Sequence, residues 1–203
     1  MSLTWPRLYA HWNLKRTTHT DLNEITYDAI NHAFQNVSSG RHCWFVKHVA
    51  RFGPVALMMH RRKEWSTPAC PWCGEVETTE HVWTCQSATV TELWEKRLQV
   101  LSELMDELST DPDIAAQICA RLAHWRTPST EPFPTSHRDV ETVCHLQDTA
   151  GWELAFTGMW RQEWISLQQD YYKYKKSRRS AKLWLSRIIR HNVETLLDCL
   201  GPW

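Results

Sequence analysis

The sequence predicts a mostly helical protein with a small Cys-Cys-His-Cys zinc-binding turn and a C-terminal helical segment. Three observations lead to this fold class. Hydrophobic side chains recur every three or four residues along most of the chain, which is the period of an amphipathic helix. Glycine accounts for 6 of the 203 residues, too few for the turns of a many-stranded sandwich or barrel. One short segment breaks the helical pattern with closely spaced cysteines and a histidine.

The composition indicates a globular chain without a net charge. Hydrophobic residues make up 42% of the chain and charged residues 23%, and the length fits one domain or one domain with a small appendage. Lys plus Arg number 23, as do Asp plus Glu, so attraction to nucleic acid must come from local clusters. No apolar run reaches the ~18–20 residues of a membrane span, and no signal peptide is visible. We therefore expect no membrane association and a reducing intracellular compartment, cytoplasm or nucleus.

The first part of the chain is predicted as an irregular arm over residues 1–19 and a helical zinc-binding domain over residues 20–126. Its first helix is expected to start near Thr20 and to end at Ser38-Ser39-Gly40. A second helical run follows over residues 41–63, which hold six Lys and Arg side chains and no acid. This run is interrupted at Gly53-Pro54, because proline lacks an amide donor and restricts the preceding residue.

The remainder of this domain is acidic and helical. Residues 64–113 hold eleven acids and two bases. Leucine, valine and tryptophan at helical spacing predict an amphipathic helix over residues 88–109. Asp111-Pro112 then predicts a helix cap followed by proline at the first helical position, where its missing amide costs nothing.

A linker and a C-terminal helical segment complete the predicted organisation. Residues 127–138 contain three prolines and no hydrophobic period, which is typical of a linker. The C-terminal segment covers residues 139–203, with helical spacing over 139–157, 158–176 and 180–200. Thirteen tryptophans are many for this length; they predict a tryptophan-rich core or, alternatively, a surface that stacks on nucleic-acid bases.

The strongest motif is Cys70-x2-Cys73-x7-His81-x3-Cys85. Zinc takes four ligands at the corners of a tetrahedron, typically thiolates and imidazoles. Cys70 and Cys73 can bind one ion from a tight turn, and His81 and Cys85 lie one helical turn apart on one face. The cofactor we predict is therefore Zn²⁺. Because protein side chains fill all four positions, the site is predicted to be structural rather than catalytic.

The local sequence around these ligands supports the same geometry. Gly74 can adopt the positive φ that often follows such a turn. Thr78 is predicted as the N-cap of the helix that carries His81, at its third position. The alternatives are a loop with coincidental cysteines or a redox-active pair, but a redox pair would leave His81 and Cys85 unexplained.

With these residues the stretch from about Ile25 to Trp94, roughly a third of the chain, resembles the zinc-binding region of reverse transcriptases from non-LTR retrotransposons. The matching motifs are Trp44-Phe45-Val46-Lys47-His48, Met58-Met59-His60-Arg61-Arg62, Cys70-Pro71-Trp72-Cys73-Gly74 and Glu77-Thr78-Thr79-Glu80-His81-Val82-Trp83-Thr84-Cys85. The resemblance implies a retroelement-derived protein that binds nucleic acid, with a reverse transcriptase or another protein as a possible partner. The chain has no Asp-Asp polymerase signature and no ribonuclease H carboxylate set, so the resemblance implies a non-catalytic module.

Two basic clusters are the candidate nucleic-acid contacts. The first comprises Arg61, Arg62 and Lys63, directly before the predicted zinc turn. The second lies over residues 171–190, which hold eight Lys and Arg side chains, three tyrosines and no acid. Its candidate phosphate-binding residues are Lys173, Lys175, Lys176, Arg178, Arg179 and Lys182. Exposed rings among such cations can stack on unpaired bases. Alternatively, this cluster neutralises the acidic helix at 88–109 within the same molecule.

Two functions follow from these patterns. The first is a non-catalytic module that binds RNA or single-stranded DNA. The alternative is a zinc-stabilised helical scaffold for protein–protein interaction. Motifs of hydrolases, phosphate-binding loops and zinc proteases are absent from the sequence, so we expect no enzymatic activity. Ion pairs between the second basic cluster and Glu92, Glu95, Glu103 or Glu107 would favour the scaffold.

Overall fold

The structure is a computed structural model that describes residues 25–35, 37–49 and 53–199. Within these ranges the chain is helical with two isolated β-bridges and no strand, which confirms the predicted fold class. The irregular arm predicted over residues 1–19 lies outside the described residues. The α-helices are α1 Tyr27–Phe34, α2 Ser39–Val49, α3 Ala56–Arg61, α4 His81–Thr84, α5 Ala88–Glu107, α6 Pro112–Arg126, α7 Arg138–Ala150, α8 Glu163–Tyr174 and α9 Ala181–Cys199.

The first helix among the described residues begins at Tyr27, and the predicted start near Thr20 lies outside the described residues. The Thr26 hydroxyl accepts a hydrogen bond from the Ala29 amide and caps α1. Ile25, one residue earlier, forms an antiparallel bridge with Arg161, so the backbone is extended there. Gly40, expected to end a helix, instead lies in the first turn of α2.

Helices α5 and α6 follow the prediction closely. The Ser87 hydroxyl accepts the Val90 amide and caps α5. The Asp111 carboxylate accepts the Asp113 amide, and Pro112 occupies the first turn of α6. Proline is favourable there because the first amides of a helix have no partner within it.

The chain between α7 and α8 differs from the two continuous helices that the periodicity predicted. Helix α7 ends at Ala150 and is followed by Gly151, whose φ is +102°. A 3-10 helix over Trp152–Thr157 is followed by Gly158, whose φ is +82°. Buried Gln147 stabilises this break, since its side-chain oxygen accepts the Arg161 amide and the Trp164 indole N–H. A polar side chain from α7 therefore organises the entry into α8.

The last helix lies at the centre of the fold. Helix α9 packs against α1, α4, α5, α8 and the 3-10 helix. One hydrophobic core contains side chains from both sides of residues 127–138, among them Ile30, Met105 and Ile188. The C-terminal helices thus share their buried surface with the helices that precede the linker.

Tryptophan fills much of this core. Those that are buried are Trp83, Trp94, Trp152, Trp160, Trp164 and Trp184. Trp184 donates from its indole to the Thr110 hydroxyl over 2.8 Å, and Trp160 donates to the Ala155 carbonyl over 3.1 Å. These bonds satisfy the polar end of a buried indole, which would otherwise oppose burial. Two tryptophans, Trp65 and Trp72, are exposed instead.

Candidate metal centre

The cysteine pair lies on a tight turn between two short extended segments. Ala69 and Val76 form an antiparallel bridge, and the Cys70 amide donates to the Glu75 carbonyl over 2.6 Å. The Gly74 amide donates to the Cys70 carbonyl over 2.9 Å, and Gly74 has a φ of +82°. A side chain at this φ would be strained, so glycine allows the turn that presents Cys70 and Cys73 together.

The other two ligands come from α4. The Cys85 amide donates to the His81 carbonyl, so the two residues are one turn apart as the spacing predicts. Helix α4 begins at His81, two residues later than a cap at Thr78 would give. The Thr78 hydroxyl still accepts the His81 amide over 3.1 Å. The predicted capping contact is therefore present at the start of a shorter helix.

The four predicted ligand side chains converge. Their ligand atoms all lie within 4.8 Å of one another. The Sγ atoms of Cys70 and Cys85 are 4.0 Å apart, and the Cys73 Sγ lies 3.2 Å from the His81 Nε2. Around a tetrahedral zinc, sulfur and nitrogen ligands lie about 3.6–3.8 Å from one another. The longest separations exceed this by up to about 1 Å, and after a contraction of that size Cys70, Cys73, His81 and Cys85 could hold a single metal ion.

The electrostatic environment of the two buried thiols differs. Burial raises the pKa of Cys70 to about 12, against the opposing effect of amides from Trp72 and Cys73. Burial also acts to raise the pKa of Cys85, but hydrogen bonds from the Ser87 hydroxyl and amide, together with those of the Cys73 and Cys70 side chains, outweigh it, so that this pKa is lowered. A cation would favour the thiolate at both positions, because metal ligation replaces the proton.

Two residues near the ligands were missed by sequence reasoning. The Glu75 carboxylate lies 3.8 Å from the His81 Nδ1, on the side of the ring opposite to the thiol-facing Nε2. Carboxylates in this position orient metal-binding histidines. Arg126 donates to the carbonyls of Trp83 and Cys85. No local pattern indicates Arg126, since it lies 41 residues from Cys85 and beside a Pro-rich segment.

Cys43, Cys119 and Cys144 do not join the centre. Cys43 is exposed, Cys119 is half-buried and Cys144 is buried. Burial raises the pKa of Cys119 and of Cys144 to about 11, which is the behaviour of thiols packed inside a protein. Within the described residues, the Cys3His set is the group of ligand-type side chains that converges.

The Lys and Arg side chains of the two basic clusters differ in whether they form ion pairs with carboxylates. Arg61 and Lys63 are exposed at the end of α3, and the adjacent Arg62 pairs with Glu64 over 3.0 Å. In the second cluster, Arg187 pairs with Glu107 over 3.1 Å, one of the acids that the sequence singled out. Pairing is partial, because other cations of the cluster face solvent.

Comparison with protein-family profiles, with curated proteins and with solved structures finds no match to this chain. No helix among the described residues combines the length and apolar character needed to cross a membrane.

Proposed function

We propose that the chain is a retroelement-derived, non-catalytic module that binds RNA or single-stranded DNA in a reducing intracellular compartment, with Zn²⁺ at the Cys3His site. Three sulfurs and one imidazole are the ligand chemistry that zinc prefers in structural sites. Four protein ligands leave no position open for water. The metal would then order the turn without taking part in a reaction.

The nucleic-acid proposal depends on one observation, the location of the exposed large hydrophobic side chains. Of the six that are exposed among the described residues, three lie on the metal-binding segment after Lys63, and two lie in the second basic cluster. The five are Trp65, Trp72, Val76, Tyr174 and Leu183. Three of the five, Trp65, Trp72 and Tyr174, are aromatic. Exposed rings next to cations are the combination that binds single strands, since bases stack on the rings while phosphates meet the cations.

The metal centre and the first basic cluster are physically joined. The Leu57 amide of α3 donates to the Glu77 carbonyl over 3.2 Å, which ties α3 to the extended segment that leaves the cysteine turn. Arg61 and Lys63 at the end of α3, and Trp72 within the turn, are thereby presented from one connected element. A cation that orders the turn would also order these candidate contacts, which gives the zinc a role in binding.

A titration across salt tests the proposal. The metal-loaded full chain is mixed with labelled RNA, single-stranded DNA and duplex DNA at low and at raised salt, and anisotropy is recorded. Binding to single strands that weakens as salt rises supports the proposal, because phosphate contacts release counterions. Absence of binding at low salt, or binding that ignores salt, overturns it. Native mass spectrometry of the same preparation tests the zinc, and a chain without bound zinc rejects that part.

The alternative function is a helical scaffold for protein–protein interaction. It is favoured by the ion pairs that the second basic cluster makes inside the molecule, with Lys182 to Asp28 over 2.8 Å and Arg187 to Glu107 over 3.1 Å. These cations serve the fold. If single strands do not bind and the chain still captures a protein, the scaffold is the better account.

A further inference from the structure

Some cations of the second basic cluster form ion pairs or hydrogen bonds within the protein, and others have no carboxylate partner among the described residues. Lys173 pairs with Asp170 over 2.7 Å and Lys182 with Asp28 over 2.8 Å. Arg187 pairs with Glu107, whose backbone carbonyl also accepts a 2.6 Å bond from Arg179. The Lys182 and Arg187 pairs join α9 to α1 and α5, whereas the Lys173 pair lies within α8. Phosphate would have to displace them before it could bind there.

Three other cations of the cluster lie together at the corner between α8 and α9. Lys175, Lys176 and Arg178 are exposed and have no carboxylate partner within the described residues. Tyr174 precedes them with 79% of its surface exposed, the highest value among the exposed large hydrophobic side chains. The Lys175 ammonium lies over the rings of both Tyr171 and Tyr174, 5.5 Å from each ring centre, so that a cation and an exposed aromatic ring are adjacent.

The backbone of this corner is left-handed at Lys176, a conformation that favours glycine. Lys176 has a φ of +52°. Its amide donates to the Lys173 carbonyl, and the Ser177 amide donates to the Tyr172 carbonyl. These two bonds define a Schellman motif, whose left-handed position is usually glycine because a Cβ is unfavourable there. Glycine at position 176 would therefore make the protein more stable, but it would lack the positive charge that Lys176 supplies.

The same arrangement occurs at the end of α3. Lys63 has a φ of +62°, its amide donates to the His60 carbonyl, and the Glu64 amide donates to the Met59 carbonyl. Among the described residues, three that are not glycine have a positive φ, and two of them are these lysines. Both lysines lie in the basic segments of the sequence, residues 41–63 and 171–190. Strained positions of this kind persist at functional sites.

We propose that the corner formed by Tyr174, Lys175, Lys176 and Arg178 is where an unpaired stretch of nucleic acid docks. Tyr174 stacks on one base, and the three cations bind neighbouring phosphates. The inference rests on the proposed function and assigns its site and substrate class. A duplex keeps its bases stacked on each other, so the open ring selects single strands.

Two charge-matched variants test the assignment in the metal-loaded full chain. One carries Lys175→Ala, Lys176→Ala and Arg178→Ala, and the other carries Lys173→Ala, Lys182→Ala and Arg187→Ala. Each removes three positive charges. For a labelled single-stranded RNA we expect the first to bind about tenfold more weakly or worse and to lower the salt slope by about 2, at ~0.7 per phosphate contact. We expect the second to stay within about twofold of the unmodified chain, because its cations already have partners. Equal losses in both would overturn the site, since net charge alone would then explain binding.

Substitutions of single residues separate stacking from charge. Tyr174→Leu is expected to weaken single-strand binding roughly 5-fold to 100-fold, while Tyr174→Phe retains it. Lys176→Gly is expected to raise the melting temperature by about 2–4 °C and still weaken binding, a combination that misfolding cannot produce. Tyr174→Leu with unchanged binding, or a duplex that binds as tightly as the single strand, overturns the stacking role.

The outcomes distinguish failure of the proposed function from failure of this site. An unmodified chain that binds no nucleic acid at low salt removes the proposed function together with this site. An unmodified chain that binds single strands as tightly as the corner variants do removes this site and leaves the proposed function standing. Polyglutamate that binds the corner as tightly as RNA and regardless of Tyr174 would point to an acidic protein partner and overturn the inference.

Discussion

The Arg126 guanidinium donates a hydrogen bond to the Cys85 carbonyl, with the Nη2 and O atoms 2.7 Å apart and 41 residues between them in the chain. Its Nε donates to the Trp83 carbonyl over 3.1 Å. Both carbonyls lie at the end of α4, where a helix leaves its last acceptors without internal partners. Arg126 is buried and also donates to the Thr91 hydroxyl. One side chain from the end of α6 therefore joins the ligand helix to α5.

Arg126→Met is expected to weaken metal binding by about 10-fold to 100-fold, the usual cost of losing a residue that orients a ligand. It should also lower the free energy of unfolding by about 2–3 kcal/mol, because buried carbonyls lose their donor. Competition with a chromophoric zinc chelator and denaturant unfolding measure the two effects. Arg138→Met, at an exposed arginine on α7, is the control and should change little. Equal behaviour of the two variants would contradict the role assigned to Arg126.

Cys73→Ser is expected to remove most of the metal, while Cys43→Ser retains it. Both cysteines are exposed, but only Cys73 lies in the ligand set. Native mass spectrometry measures the bound metal, and hydrogen exchange should become faster over residues 65–90 in Cys73→Ser alone. The helical core should persist, since its large buried side chains lie outside the cysteine turn. A Cys73→Ser chain that keeps one tightly bound metal ion would contradict the site.

The parts of the structure that the sequence predicted are those with local causes. The Asp111-Pro112 start of α6 depends on one side chain and the amides next to it. The convergence of the ligands depends on a turn and one helical step, so the spacing from Cys70 to Cys85 predicts it. The break between α7 and α8 depends on Gln147, which bonds to the Arg161 amide 14 residues away. The support from Arg126 spans 41 residues to Cys85, and neither bond leaves a pattern in the local sequence.

Glu77→Gln is expected to stabilise the fold above neutral pH and to flatten its pH dependence. Glu77 is buried, and its Oε2 has no hydrogen-bond partner. Burial raises the pKa of this carboxyl to about 7, against an opposing bond from the Ala56 amide. An acid whose pKa is higher in the folded state contributes most stability below its unfolded pKa of about 4.5 and loses it as pH rises through about 7.

Denaturant unfolding of the metal-loaded protein between about pH 6 and about pH 8.5 compares Glu77→Gln with the unmodified chain. This range brackets the carboxyl's pKa of about 7. The difference in unfolding free energy should grow with pH toward a value on the order of 2 kcal/mol. Glu80→Gln, at an exposed position in the same segment, should show no such growth. A difference between Glu77→Gln and the unmodified chain that stays constant across this range would mean that Glu77 is ionised throughout.

Glycine at the left-handed helix ends is expected to stabilise the protein, with consequences for binding that depend on the site. Ser109 ends α5 with a φ of +52°, and its motif has the same two bonds as those of Lys63, from the Ser109 amide to Asp106 and from the Thr110 amide to Met105. Replacing either residue by glycine removes an unfavourable Cβ, which is worth about 1 kcal/mol. Thermal unfolding of the metal-loaded chain should show both gains.

Only Lys63→Gly should weaken the binding of single-stranded RNA, because Ser109 carries no charge for a phosphate to meet. Anisotropy titrations against the same labelled strand compare the RNA affinities of Lys63→Gly and Ser109→Gly. Both variants remove a Cβ at a position with positive φ, so backbone strain is relieved in each. If Lys63→Gly gained stability and bound RNA as tightly as Ser109→Gly, the lysine at this strained position would have no part in recognition. The first basic cluster would then be a solvated surface, and binding would have to depend on the α8–α9 corner alone.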